Sequence, residues 1–199
     1  MPLTLAASLV GVTALIFVAK GDVFGQILTV VFAVLYSVIS WDLRYYGEMI
    51  TYMCMTAPMA VLAVITWLSH PFDKAKSQVQ IARLTRRQAI CMMVYTAAVT
   101  VLFYFILRFF QNASLLLSTV SVTTSFLASY LTFCRSPYYA LAYAANDLVL
   151  IGLWIAATVK QLSYLPMVLC FVMFLCNDAY GFYNWVRMRK SQQEKGSAI

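Results

Sequence analysis

Apolar residues run almost unbroken along this chain and stop only at short polar punctuation. A helix needs roughly 20 mostly apolar residues to cross a hydrocarbon core of about 30 Å. At that length the runs fall at 3–19, 23–41, 45–67, 88–107, 113–133, 138–159 and 162–185. The separators are Lys20-Gly21-Asp22, Asp42-Leu43-Arg44, the stretch from Arg108 to Asn112, Arg135-Ser136-Pro137 and Lys160-Gln161. One separator is long, residues 69–87, and has the composition of a solvated loop. Residues 191–199 read as a disordered tail behind a single transmembrane domain, residues 1–190. The first run has no Lys or Arg before it, so it lacks the basic n-region of a signal peptide and reads as a span.

Backbone groups in lipid must be bonded within the segment or within a closed barrel. Barrel strands alternate apolar and polar residues, whereas residues 27–38 and 165–175 are apolar on every side. The pattern therefore predicts an all-α polytopic membrane protein of about seven transmembrane helices. Composition agrees: 63% of the chain is hydrophobic and 11% charged, with a mean hydropathy of +0.81. A soluble domain runs nearer 45–50% apolar and about 25% charged.

Charge then orients the bundle, because cytoplasmic loops carry excess Lys and Arg. Seven spans put Lys20, Lys74, Lys76, Arg83, Arg86, Arg87, Arg135, Arg187, Arg189, Lys190 and Lys195 on one side, and Arg44, Arg108 and Lys160 on the other. Eleven against three places the N-terminus outside and the C-terminus in the cytoplasm. An even span number would split the basic loop from the basic tail. The net charge of +7 is met by these loops and by lipid headgroups, so it calls for no nucleic acid.

A long loop before the fourth span suggests a 3+1+3 arrangement, with two parallel triplets joined by span 4. Parallel repeats place a substrate site at their interface near the midplane. A shift of 118 residues pairs Tyr36 with Trp154, Tyr46 with Tyr164 and Met49 with Met167, which is close to chance. The repeat rests on span count.

Ionisable and amide groups inside a membrane are costly and point to a cavity or a partner. Asn146-Asp147 lies about eight residues into span 6, and Asn177-Asp178 about eight residues before the end of span 7. At a rise of 1.5 Å per residue the two pairs share a depth of roughly 12 Å. The bland reading is helix–helix hydrogen bonding; four polar residues at one depth exceed what packing needs. Trp154 continues the face of Asp147, Tyr180 follows Asn177, and Tyr36 and Tyr52 lie deep in spans 2 and 3. Amides and acids beside deep aromatics suit a flat heteroaromatic ligand that carries hydroxyls. Gln26 and Glu48 are further candidates, equally readable as headgroup-level residues. Pro58, halfway along span 3, either kinks that span for alternating access or is one of the prolines that membrane helices tolerate.

Catalytic signatures do not appear. His70 stands alone in a loop, and Cys54, Cys91, Cys134, Cys170 and Cys176 form no CxxC pair. They read as packing residues, so neither a metal site nor a cofactor is expected. An intramembrane enzyme lacks its His cluster; a ligand-free scaffold is the other reading outside transport.

Tyr45-Tyr46-Gly47-Glu48-Met49, the segment Asn146-Asp147-Leu148-Val149-Leu150-Ile151-Gly152-Leu153-Trp154, and Asn177-Asp178-Ala179-Tyr180-Gly181-Phe182-Tyr183-Asn184-Trp185 together resemble the PnuC family of vitamin-precursor transporters, over residues 11–189. The resemblance implies uptake of nicotinamide riboside, an NAD precursor, by facilitated diffusion in a bacterial cell membrane, with trapping by a cytoplasmic kinase. It also implies a fold like the sugar-transporting SWEET proteins and a homo-oligomer, notably a trimer. Carried onto this sequence, its substrate positions are Asn146, Asp147, Trp154, Asn177, Asp178 and Tyr180. Relatives often have Gln in span 3 where this chain has Tyr52, and Trp near the start of span 2 where it has Gln26. Those departures leave the vitamin open, thiamine included, and Asp147 and Asp178 leave proton coupling open.

Overall fold

The computed structural model describes residues 2–42, 46–73, 78–111, 114–160, 162 and 165–197. Its helices are α1 (Pro2–Ala19), α2 (Val23–Asp42), α3 (Tyr46–Thr51), α4 (Ala57–Ser69), α5 (Arg86–Phe109), α6 (Leu115–Phe133), α7 (Tyr139–Lys160) and α8 (Leu165–Ser197). A π-helical turn, Tyr52–Thr56, welds α3 to α4, so the described helices form seven rods. Among the described residues, Met49–Ser69, Arg86–Phe109 and Leu115–Phe133 are long and apolar enough to cross a membrane. Leu9–Ala19, Val23–Ile39 and Tyr139–Gly152 are shorter apolar helices. The bundle is apolar outside as well as inside: Val94, Leu102, Phe105 and Phe109 all stand exposed along α5, as lipid solvation allows and water does not.

Local chemistry sets the ends of these rods. Thr85 and Gln88 form a reciprocal capping box, Thr85 Oγ1 accepting from the Gln88 N–H at 3.2 Å and Gln88 Oε1 from the Thr85 N–H at 2.9 Å. Orphan donors are thereby satisfied and α5 starts at Arg86, two residues before the expected boundary. Pro58 enters the rod immediately after the π turn. Its missing N–H falls just after the π turn, where the Ala57 N–H already reaches back five residues to Tyr52 O, so the wider turn absorbs the proline. Residues 191–197, expected in a disordered tail, are helical instead. Gln192 anchors them by hydrogen bonds to the long loop.

Two interhelical turns are built alike. After α1, Gly21 adopts φ +71°, a left-handed conformation that glycine takes without cost. Its N–H donates to Val18 O at 2.9 Å and the Asp22 N–H to Phe17 O at 3.0 Å, closing the helix in a Schellman-type cap. Asp22 Oδ1 then accepts the Phe24 N–H. After α6, Arg135 adopts φ +57°. Its N–H donates to Thr132 O at 3.0 Å, the Ser136 N–H donates to Leu131 O at 2.9 Å, and Ser136 Oγ accepts the Tyr138 N–H. Every one of these bonds is displaced by the same 114 residues, Gly21 to Arg135. No residue identity accompanies the match.

Packing closes six rods into a ring: α1 against α2, α2 against α4, α4 against α6, α6 against α7, α7 against α8, and α8 back against α1. Helix α5 lies outside the ring, packed on α6. The long loop folds into a two-stranded antiparallel hairpin, β1 (Pro71–Asp73) and β2 (Gln78–Val79). It sits over the end of the bundle where α1, α4 and α6 finish, here the loop end. The larger buried cluster is there, with Val18, Trp67, Val79, Leu131, Tyr139 and Trp185 in contact. A smaller cluster of Met55, Phe103, Leu107, Val122 and Phe126 ties the π turn to α5 and α6.

Candidate functional site

Just inside the loop end, at the centre of the ring, α2, α4, α6 and α7 leave a small polar cavity. Gln26 and Thr29 come from α2, Thr56, Met59, Ala60 and Ala63 from the third rod, Ser129 and Thr132 from α6, and Tyr143 from α7. Its volume is about 10 Å³, at the lower limit for holding a single water. Drug-sized ligands fill pockets of about 300–1,000 Å³. The ring is drawn tight around this point.

The hydroxyls are arranged rather than scattered. Ser129 Oγ and Tyr143 Oη lie 3.2 Å apart, Thr29 Oγ1 donates to Gly25 O at 2.9 Å, and Thr132 Oγ1 donates to Ala128 O at 2.9 Å. Bonding back to its own helix lets a Ser or Thr sit in an apolar bundle cheaply while leaving its lone pairs available.

One turn further along α7 from Tyr143 is Asp147, 5% exposed, and across the interface on α8 is Asp178, 6% exposed. The two carboxyls face each other at close range, with Tyr143 beside both and Tyr139 beside Asp178. Asp147 Oδ2 is buried without a hydrogen-bond partner. Leaving such an acceptor unpaired costs about 1–3 kcal/mol, so the pair is an investment that packing does not explain.

The other expected positions divide. Gln26 is buried and lines the cavity. Tyr36 and Tyr52 meet with ring centroids 4.4 Å apart, and Phe32 stacks on Tyr36 and meets Tyr52 edge-on. This aromatic group lies one to two turns beyond Thr29 and Thr56 on the same rods. Asn146 turns to α6, its Oδ1 accepting from Ser121 Oγ and Thr124 Oγ1, both at 2.9 Å, so it serves as a helix–helix bond. Asn177 is half-buried on α8. Tyr180 is 51% exposed and does not reach the cavity; three residues on from Asn177, it sits on a different face of α8 from the buried Asp178. The side chains of Trp154 and Glu48 lie outside the described residues. Thr29, Thr56, Ser129, Thr132 and Tyr143 were not singled out from the sequence. Only Tyr143 carried a signal, standing four residues before Asp147 on one helix face. Among the described residues no three His, Cys, Asp or Glu side chains gather as metal ligands would.

Residues 1–187 match the family described as nicotinamide mononucleotide transporter. The chain is 27% identical over 188 residues to the nicotinamide riboside transporter PnuC of Neisseria mucosa, covering 92% of this chain and 72% of that one. It is 23% identical over 189 residues to the nicotinamide riboside transporter PnuC of Haemophilus influenzae, covering 94% and 80%. Among solved structures it is similar to the crystal structure of the vitamin B3 transporter PnuC, with a TM-score of 0.77 and 26% identity over 96% of this chain and 83% of that one.

Proposed function

The chain belongs to the nicotinamide mononucleotide transporter family, the PnuC transporters, and from that premise we propose that it carries nicotinamide riboside across the membrane. It is a multi-pass membrane protein, as its apolar helices and bacterial relatives indicate. The observation that carries the substrate reading is the chemistry of the ring centre. The cavity's own lining is uncharged, and beside its Tyr143 stand the acids Asp147 and Asp178. Nicotinamide riboside has a permanently cationic pyridinium ring and an uncharged ribose. An acid pair suits the first, and hydroxyls and an amide suit the second. A mononucleotide adds a phosphate, which needs Arg, Lys or a cluster of N–H donors and would meet carboxyls instead. The chemistry of these groups favours the riboside over the nucleotide.

In this reading Asp147 and Asp178 face the pyridinium, Gln26, Thr29, Tyr143 and Asn177 hold the ribose and carboxamide, and Tyr36, Tyr52 and Trp154 supply stacking surface. A 3+1+3 arrangement of the SWEET type accounts for the closed ring of six rods, the peripheral α5 and the two matched turns. The loop end is taken as cytoplasmic because the basic residues collect there. Transport is downhill, by alternating access, with phosphorylation in the cytoplasm keeping the product inside. The exposed apolar face of α5 supplies a surface for the homotrimer.

Saturable uptake of labelled nicotinamide riboside by proteoliposomes, with no ion gradient, is the test. Asp147→Asn and Asp178→Asn are each expected to weaken binding about tenfold, or about 1.4 kcal/mol. Thermal unfolding reports the same ligand, since ligand at 100 times its Kd adds about 2.7 kcal/mol to apparent stability. Uptake of thiamine in place of the riboside would move the substrate to a thiazolium cation on the same acids; uptake of neither would sink the reading.

A further inference from the structure

The loop end is fastened by a set of bonds that transport chemistry does not require. Trp67 closes α4 and Trp185 lies in α8; both are fully buried, with ring centroids 5.4 Å apart. The Trp67 indole N–H donates to Thr132 O at the end of α6, and the Trp185 indole N–H to Val18 O at the end of α1, each at 3.0 Å. Val18 and Thr132 are equivalent positions in the two matched turns. Each indole therefore bonds to the corresponding turn's carbonyl on the neighbouring rod.

Behind the indoles runs the segment 78–82. Its Val79 N–H donates to Gly21 O at 3.0 Å and its Ala82 N–H to Arg135 O at 3.1 Å, so one short stretch bonds to the same residue of both turns. Gln192 of α8 holds the middle, Oε1 accepting the Ile81 N–H at 2.8 Å and Nε2 donating to Val79 O at 3.0 Å. The Gln80 N–H donates to His70 O at 2.9 Å, and Arg135 Nη1 donates to Gln80 O at 3.2 Å.

We propose that residues 78–82 are a strap which, with Trp67 and Trp185 as the floor it braces, latches the central cavity shut toward the loop end. The geometry leaves little slack. The two anchoring N–H groups are three positions apart in the chain, and an extended chain spans at most about 3.6 Å per residue, so the two turns cannot part while both bonds hold. The floor lies directly under the site: Thr132 and Ala63 line the cavity, Thr132 O holds Trp67, and Trp67 is one turn on from Ala63. A ligand leaving this way must displace the indoles, and the indoles cannot separate until the strap lets the turns go. A cleft of about 180 Å³ between Phe72 and the Arg187–Lys195 stretch of α8 is space into which a released strap can move. The proposal rests on the transport reading for its purpose, but the closure it describes is measurable without transport.

The test uses the full chain with its five cysteines replaced and Ala60→Cys as a reporter inside the cavity, in vesicles. A membrane-impermeant maleimide is added from the loop end. Trp67→Phe keeps the ring and loses the N–H. Gln192→Met removes both side-chain bonds to the strap from a part of α8 clear of the buried core. Each variant is expected to raise the labelling rate roughly fivefold, the scale of one buried hydrogen bond, while Ile65→Val on the exposed face of α4 leaves it unchanged. If Trp67→Phe fails to fold, Gln192→Met carries the test. An unchanged rate in folded Gln192→Met overturns the strap. Failure of the parent chain to take up nicotinamide riboside, with labelling still accelerated, overturns the transport reading and leaves the latch standing.

Discussion

Gly25 and Gly152 both sit inside helices, and their surroundings give them opposite fates. A Cβ on Gly25 would lie 2.5 Å from Val18 N and 2.9 Å from Ala14 O, backbone that cannot move aside without parting α1 from α2. Gly25→Ala is therefore expected to cost about 1–3 kcal/mol, the range for overpacking, read as a lower thermal midpoint in detergent. A Cβ on Gly152 meets nothing within 4 Å, and Ala is the better helix former by about 1 kcal/mol. Gly152→Ala is expected to leave the midpoint level or raise it. Asp147 and Asp178 stood out in the sequence because a carboxyl in an apolar run is rare enough to demand a reason. Thr29, Thr56, Ser129 and Thr132 did not, since hydroxyls that bond back to their own helix are common in any apolar span. The Asn146 signal was real but double-edged: a buried amide is needed equally by a ligand and by Ser121 and Thr124 of the neighbouring helix.

At the scale of elements, the π turn before Pro58 is the informative departure from regularity. It widens the third rod just where Tyr52 meets Tyr36 and where Thr56 enters the cavity. Pro58→Ala restores the missing N–H and lets the rod rewind toward α-helix, turning Tyr52 away from Tyr36. The expected result is a folded protein of undiminished stability whose affinity for nicotinamide riboside falls several-fold, measured by titration. Unchanged affinity would mean that the turn accommodates proline and nothing more. Apolar runs of lipid length led to an expectation of seven spans, and the described helices form seven rods, three of them long and apolar enough to cross a membrane. Periodicity had no access to the π turn, which adds a single residue to a run apolar throughout. It also misread residues 191–197, whose polar composition suits solvent but whose Gln192 finds backbone partners only in the folded loop.

For the whole molecule, orientation is the testable claim. Lys195→Cys is expected to react with an impermeant maleimide only from the cytoplasmic side, and Leu162→Cys only from outside; the reverse pattern would invert the bundle. Seven rods were legible in the chain, and span count suggested two like triplets, whereas residue identities gave no sign of the two matched turns. The matched turns are 114 residues apart, yet Trp67 and Trp185, which play like roles, are 118 apart. No single shift aligns both, and the turns share bond pattern without sharing side chains.

Those four extra residues amount to about one helical turn lodged in one half and absent from the other. The corresponding ends are held by like backbone bonds, so the halves respond alike when the ends are pulled. The walls between them differ: at the 114-residue offset Thr29 faces the part played opposite by Tyr143, and Gln26 that of Ala140. Near-equal mechanics around unequal walls has a simple outcome. The passenger proposed above, a charged ring at one end and a sugar at the other, meets chemically different walls when it is turned end for end.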